Sequence, residues 1–378
     1  MNGPDPRYWR LDRIVERFEI RRSERPDVVR IEEIGRSVLG EPVLALRLGP
    51  VDAPPRPAVV LHAAQHANEA NGTGALMVLA ERLLGEERLA PLLAGLDLWL
   101  IPVVNPDGHR HVFSGAEGWE EARKNRREGG GGDLNRNWDH RWEDDPSVDP
   151  ASRNYKGPAP FSEPETRALR DLILRVRPLF VVDLHSPGEI TRPNVIFWPW
   201  YVRGTKEYGP DAEVNREIAM ELAAATETEE DGVFYDGRYP SYDTLPKEQC
   251  WVYRETGICI LLMEISKRFW WTGPTVDVIA RRVATGLETL LERAARGPGL
   301  AVHVTDAASG KPLVAEVSVA GHEGDGIGPR RTAGDGRMWR ALPPGPYEVT
   351  MAVVGREPGR KLVEVAASGW TAVAVPVE

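Results

Sequence analysis

Apolar positions along the chain follow two rhythms. Short unbroken runs at Ala58–His62, Leu96–Val104, Pro178–Leu184, Val195–Trp198 and Ile258–Ile265 have the length and β-branched content of buried strands. Between them, Glu69–Leu84 places Leu76, Leu79, Leu83 and Leu84 at helical spacing. Helices are also predicted over Leu11–Phe18, Glu163–Arg177 with Ser162 as N-cap, Asp211–Ala225, and Pro274–Arg296 with proline at its start. Val28–Ile34 and Pro42–Leu48 read as a hairpin around Val38-Leu39-Gly40-Glu41. Strands alternating with helices after a hairpin predict an α/β fold, a mixed β-sheet flanked by helices.

The rhythm changes at Arg296-Gly297-Pro298-Gly299. Beyond it come strand runs at Leu300–Thr305, Ala315–Val319, Tyr347–Val353, Val363–Val365 and Ala372–Val377, separated by turn residues. That spacing predicts a small all-β sandwich. The expected division is residues 1–297 and 298–378. One polar stretch, from Asn105-Pro106-Asp107-Gly108 to Ser162, is too long for an idle connection. Gly129–Gly132 within it reads as a flexible loop.

Composition then narrows the function. The 378 residues carry a formal charge of −10 with scattered basic residues, which argues against a nucleic-acid partner. No apolar run approaches the roughly 18 residues of a spanning helix, so no membrane partner is expected. Met1–Arg10 is polar and proline-rich rather than leader-like, so a cytoplasmic location is the expectation. Cys250 and Cys259 read as buried thiols rather than a disulfide framework.

The chemistry gathers at strand ends. His66-Ala67-Asn68-Glu69 lies where a strand gives way to a helix, and His185 follows another apolar strand run. In open α/β sheets, ligands bind beyond the carboxyl ends of strands. Imidazole nitrogen and carboxylate oxygen suit zinc, and three such ligands plus an open position make a catalytic site. His62, inside its strand run, reads as a satisfied core histidine. His109 and His111, in the polar loop, read as solvated. Glu264 closes a run of six apolar residues, where a carboxylate is costly unless it has a task. A general base is the functional reading. Arg123-Lys124-Asn125-Arg126-Arg127 and Asp133-Leu134-Asn135-Arg136-Asn137-Trp138 supply forks for gripping a carboxylate, with Trp138 and Trp142 to pin the loop.

Together these residues resemble the zinc metallocarboxypeptidases of the carboxypeptidase A and N/E type, in that family's order, over about residues 8–296. The segment Gly299–Glu378 resembles the transthyretin-like sandwich of the N/E branch, through Asp306-x-x-Ser309-Gly310-Lys311-Pro312-Leu313 and Leu342-Pro343-Pro344-Gly345-Pro346-Tyr347. The resemblance implies one zinc ion held by His66, Glu69 and His185, with Asp133 orienting His66. It implies that Arg126 polarises the scissile carbonyl and that Arg123 lines the cleft. Asn135 and Arg136 would hold the terminal carboxylate of a peptide substrate. Tyr242, with Tyr239 as competitor, would close over that substrate. Glu264 would be general base and then acid in a hydrolysis by zinc-activated water.

Some positions depart from the pattern. Trp198-Pro199-Trp200-Tyr201 lacks the acid that selects basic C-terminal residues, and neither Gln249 nor Cys250, near the expected pocket floor, is charged. Pro187–Asn194 looks like an insertion beside the third ligand. Two other readings stay open: an amidase acting on N-acyl amino acids or γ-glutamyl cell-wall peptides, and a peptide-binding protein with a silent site.

Overall fold

The computed structural model describes residues 3–116, 118–186, 193–199, 201–202, 207–238, 246–324 and 326–377. The chain begins with α1 (Leu11–Glu24), β1 (Val29–Arg36), β2 (Pro42–Leu48), β3 (Ala58–Ala63), α2 (Asn71–Gly85), α3 (Ala90–Gly95), β4 (Asp97–Ile101) and α4 (Pro106–Val112). Next come α5 (Pro164–Val176), β5 (Phe180–His185), β6 (Val195–Phe197), the ribbon β7 (Tyr201–Val202) and β8 (Glu207–Tyr208), α6 (Ala212–Ala225) and β9 (Asp236–Arg238). Then follow α7 (Glu248–Thr256), β10 (Cys259–Glu264) and α8 (Thr275–Arg296).

Eight strands form one mixed sheet in the order β1-β2-β4-β3-β5-β10-β6-β9. β4, β3, β5 and β10 run parallel, and the hairpin partner β2 joins β4 antiparallel. The central strands are buried on both faces, which is why their sequences are unbroken apolar runs. Val59 and Leu61 face the core that holds Leu76, Leu79, Leu222 and Leu287 of α2, α6 and α8. Val60, Val181 and Ile260 face the opposite core, with Leu169 and Leu172 of α5 and Val252 of α7. This is the expected mixed sheet between helical layers.

The remaining strands are β11 (Gly299–Asp306), β12 (Glu316–Val319), β13 (Arg330–Arg331), β14 (Arg337–Ala341), β15 (Gly345–Ala352), β16 (Gly359–Val365) and β17 (Trp370–Val377). They form two small sheets, β14-β11-β17 and β13-β12-β15-β16, around a core of Leu300, Val302, Val317, Val349 and Val373. β11 pairs with β17 in parallel, whereas the other pairings are antiparallel.

Several expectations are corrected. The Asn105-Pro106 stop starts α4, because the Asn105 side chain accepts a hydrogen bond from Gly108 N and proline fits the first turn. Ser162 does not cap α5; its hydroxyl donates to the Glu163 side chain, and Glu163 takes the N-cap position. Gly131 is no flexible link: a Cβ there would stand 1.8 Å from the Asn125 carbonyl oxygen, so the strand-like approach needs glycine. His109 is fully buried, with no hydrogen-bond partner for either ring nitrogen among the described residues, and burial pushes its pKa down to about 3.

Candidate metal centre

Three adjacent parallel strands deliver the site. β3 leads into the loop carrying His66 and Glu69, β5 ends on His185, and β10 ends on Glu264. Register places Glu264 directly beside His185, and His62 directly beside Asp183. Ala64 (φ +52°) and Ser266 (φ +70°) hold left-handed backbone conformations without being glycine. Such strain, just beyond two of these strand ends, is a feature of functional sites.

His66, Glu69 and His185 are each 3% exposed. Glu69 Oε1 lies 3.0 Å from His66 Nδ1, and Oε2 lies 2.8 Å from His185 Nδ1. The two Nδ1 atoms are 3.0 Å apart. On the outer side, His66 Nε2 lies 2.9 Å from Asp133 Oδ1, and His185 Nε2 lies 2.7 Å from Asp183 Oδ2. Carboxylates that take the outer N–H of each ring turn the inner lone pairs toward one point. Two imidazole nitrogens and a carboxylate converging in this way form a donor set that fits a divalent cation.

The electrostatics agree with that purpose. Burial raises the Glu69 carboxyl, but His66 and His185 outweigh it and hold it well below the usual carboxylate range. Burial likewise opposes ionisation of Asp133, and Arg123 and His66 overcome it. Glu264 is pushed up to about 7, first by burial and also by Glu69, with His185 opposing. Its carboxylate makes no hydrogen bond or ion pair among the described residues, so it is available for an incoming group.

Beneath His185 lies a second layer. His62, Asp183 and Glu248 are all fully buried. His62 Nε2 is 2.9 Å from Glu248 Oε1, and Gln65 Nε2 donates to Asp183 (3.0 Å) and Glu248 (2.5 Å). These three also lie close enough to one another to share an ion. Their hydrogen bonds, however, already knit them into a base for the third ligand. Glu248 and Gln65 gave no signal in the sequence, since nothing there shows two distant carboxylates meeting on one histidine. Asp183 had one: two residues before His185 on a strand, it shares His185's face. Asp183→Asn is expected to weaken zinc binding by about 10–100-fold, read by competition with a chromophoric chelator. An unchanged affinity would remove Asp183 from the support of His185.

The remaining expected residues fall into three groups. Arg123 is not open to substrate: it bonds Asp133 (3.0 and 2.9 Å) and Glu69 (3.0 Å), two carboxylates that outcompete a mobile ligand. Asn135 Oδ1 accepts from Glu248 N, and its Nδ2 lies 3.1 Å from His185 Nε2, whose N–H goes to Asp183. Arg123 therefore braces the donor set, and the direct substrate contact expected of it is corrected, whereas the Asn135 amide nitrogen faces the donor set with no acceptor of its own among the described residues. Arg136 is half-buried, donates to the Asn135 carbonyl oxygen at 2.7 Å, and has no carboxylate partner among the described residues. Arg126 is exposed and unpaired among the described residues. Tyr242, its competitor Tyr239, and Pro187–Arg192 of the expected insertion lie outside the described residues. Trp138 is fully buried against Phe161 and Trp251, so the polar loop is pinned to the body as expected. Lys247, unforeseen, lies near Arg136 and Glu264; burial and Arg136 push it down to about 8.

The profile of the zinc carboxypeptidases matches residues 15–273, more than half of the chain. The chain belongs to the zinc carboxypeptidase family. A metallocarboxypeptidase A-like protein of Trichophyton verrucosum is 31% identical over 224 residues, covering 56% of this chain and 50% of the relative. An inactive metallocarboxypeptidase of Blastomyces gilchristii is 31% identical over 219 residues, covering 53% of this chain and 36% of that one. The solved carboxypeptidase A of Helicoverpa armigera superposes with a TM-score of 0.64 at 23% identity, covering 76% of this chain and 74% of that one. The chain spans about half the length of the curated relatives it matches.

Proposed function

We propose that this chain is a zinc-dependent carboxypeptidase that hydrolyses the last amide bond of a peptide with a free C-terminal carboxylate. The observation that carries the reading is one constellation: the His66–Glu69–His185 donor set beside a half-buried Glu264 that has no hydrogen-bond partner among the described residues and is pushed up to about 7. Zinc held by these ligands supplies a Lewis acid that lowers the pKa of water and polarises a carbonyl. Glu264 takes the proton of the attacking water and returns it to the leaving amine. Arg136 offers its guanidinium to the substrate's terminal carboxylate, the pairing its planar fork is built for. Arg126, exposed and unpaired among the described residues, would stabilise the oxyanion in this reading. An inactive relative is thereby separated from this reading by a single test, since the proposed chemistry needs Glu264.

The cations Arg136 and Lys247, the second of which is pushed down by burial and by the first, make a basic C-terminal side chain a poor fit. Peptides ending in Lys or Arg are expected to be the slowest of a panel that varies the last residue. Arg136→Ala is expected to lower kcat/KM by about 10²-fold or more, chiefly through KM, because truncating a carboxylate clamp costs roughly 2–5 kcal/mol. An equal rate on C-terminally amidated peptides would assign the clamp no role.

A further inference from the structure

A cavity of about 310 Å³ opens at the starting ends of β3 and β4, the end of the sheet opposite His66 and Glu264. Its wall contains Arg30, Arg47, Arg56, Arg175, Arg177 and Arg337. The facing carboxylates are Asp97 and Asp335, so six guanidiniums meet two acids in a chain whose net charge is −10. Arg47 is satisfied by a two-pronged pair with Asp97 at 2.7 and 2.9 Å, and Arg175 by Glu32 at 2.6 Å. The other four have no carboxylate within ion-pair distance among the described residues.

Gathering unpaired arginines costs Coulomb energy that a folded acidic protein has no general reason to accept. Arg56 donates to the Leu96 and Pro50 carbonyls and Arg30 to that of Gly49, while Arg30 Nε and Arg56 Nη1 have no hydrogen-bond partner among the described residues. Burial pushes Arg30, Arg56 and Arg177 down, and neighbouring arginines add to it. Arginine forks match phosphate and carboxylate oxygens in geometry as well as charge. Trp99 is already covered by Arg47 and Arg175 at 4.6 and 5.1 Å, and Trp339 is the other aromatic of the wall. The guanidiniums define the ligand first by its charge.

We propose that this cavity binds a small polyanion carrying at least two phosphate or carboxylate groups, of the diphosphate or tricarboxylate kind. Because Arg337 comes from β14 and Arg30, Arg56 and Arg177 from the large sheet's side, such a ligand ties the small sheets to the large one. This site is independent of the zinc-centre reading.

The test is calorimetric titration of the zinc-loaded full chain with inorganic pyrophosphate, and separately with citrate, at about 0.15 M salt to screen diffuse attraction. Zinc content is measured before and after, so that chelation is distinguished from binding. Arg177→Gln with Arg337→Gln removes two guanidiniums whose side chains make no hydrogen bond to the described residues. The wild type is expected to bind at least one of the two anions with one-site stoichiometry, and the double variant to bind it about 10-fold or more weaker. Without anion the variant should melt no lower than wild type, since two mutually repelling guanidiniums are gone, and it should keep its peptide hydrolysis. Tighter pyrophosphate assigns a phosphate ligand; tighter citrate assigns a carboxylate one. Equal binding by wild type and variant, or no heat from either anion at millimolar concentration, would overturn the proposal.

Discussion

Glu264→Gln is expected to lower peptide hydrolysis by about 10²–10⁴-fold, the usual contribution of a positioned acid–base group, while zinc remains bound in one-to-one ratio. The substitution keeps volume and shape, and Glu264 is not among the donors His66, Glu69 and His185, so metal content should not change. What is lost is a proton acceptor beside His185 that makes no hydrogen bond to the described residues. The same variant has a stability signature in zinc-free protein. The folded Glu264 carboxyl is raised to about 7, mainly by burial, from its ordinary 4.5. A raised carboxyl favours the neutral form, so its penalty is absent below the unfolded pKa and grows as pH rises toward 7. Zinc-free Glu264→Gln should therefore melt above zinc-free wild type at pH 8, by on the order of 1–3 kcal/mol, and match it near pH 4.5. A divalent cation beside the carboxyl lowers its pKa and shrinks that gap. A variant that hydrolyses normally, or that loses its zinc, would contradict the assignment.

Asp211→Ala is expected to destabilise the chain by about 3–5 kcal/mol, the cost of leaving buried charges unpaired. Asp211 stands at the N-terminal end of α6, 3% exposed, against Arg330 (8%) and Arg340 (3%) of the small sheets. His322 Nδ1 lies 3.1 Å from the same carboxylate. Burial opposes its ionisation, but Arg330 and Arg340 outweigh that and hold it well below the usual carboxylate range. Arg330 also packs where a Cβ on Gly257 would fall, at the turn between α7 and β10. Those two elements carry Glu248 and Glu264, so the small sheets support the segment that builds the site. The melting temperature should fall by on the order of 5 °C or more. Replacing Asp211 and Arg330 together with apolar residues should recover much of the loss, because the remaining cation, Arg340, keeps Glu323 at 2.6 Å as its partner. A melting temperature unchanged by Asp211→Ala would show that the arginines are satisfied by water.

The elements that were readable in the sequence are those whose burial leaves a periodic trace. β3, β5 and β10 read as unbroken apolar runs because both faces are covered, and α2 and α8 because one stripe is. The first contacts at their ends, His66, Glu69, His185 and Glu264, were legible for the same reason: polar residues stand out where an apolar run stops. α7 was missed because Glu248, Gln249 and Cys250 are buried together, so the helix shows no polar face. β14 was missed because Arg340 is buried by its partner Asp211, a compensation the local pattern cannot reveal. Arg123 was misassigned for a related reason. Residue type showed that it could grip a carboxylate, but not that Asp133 and Glu69 were already there to be gripped.

The most direct measurement of the central claim is hydrolysis of a peptide panel by purified zinc-loaded protein, followed by mass spectrometry. Each peptide is supplied with a free and with an amidated C-terminus, with and without a chelator. The expected result is loss of the single C-terminal residue from free peptides with apolar or polar ends. It should stop with chelator, return with zinc, and fail on amidated partners. No cleavage in a protein that holds one zinc per chain, or cleavage of amidated peptides at the same rate, would contradict the account.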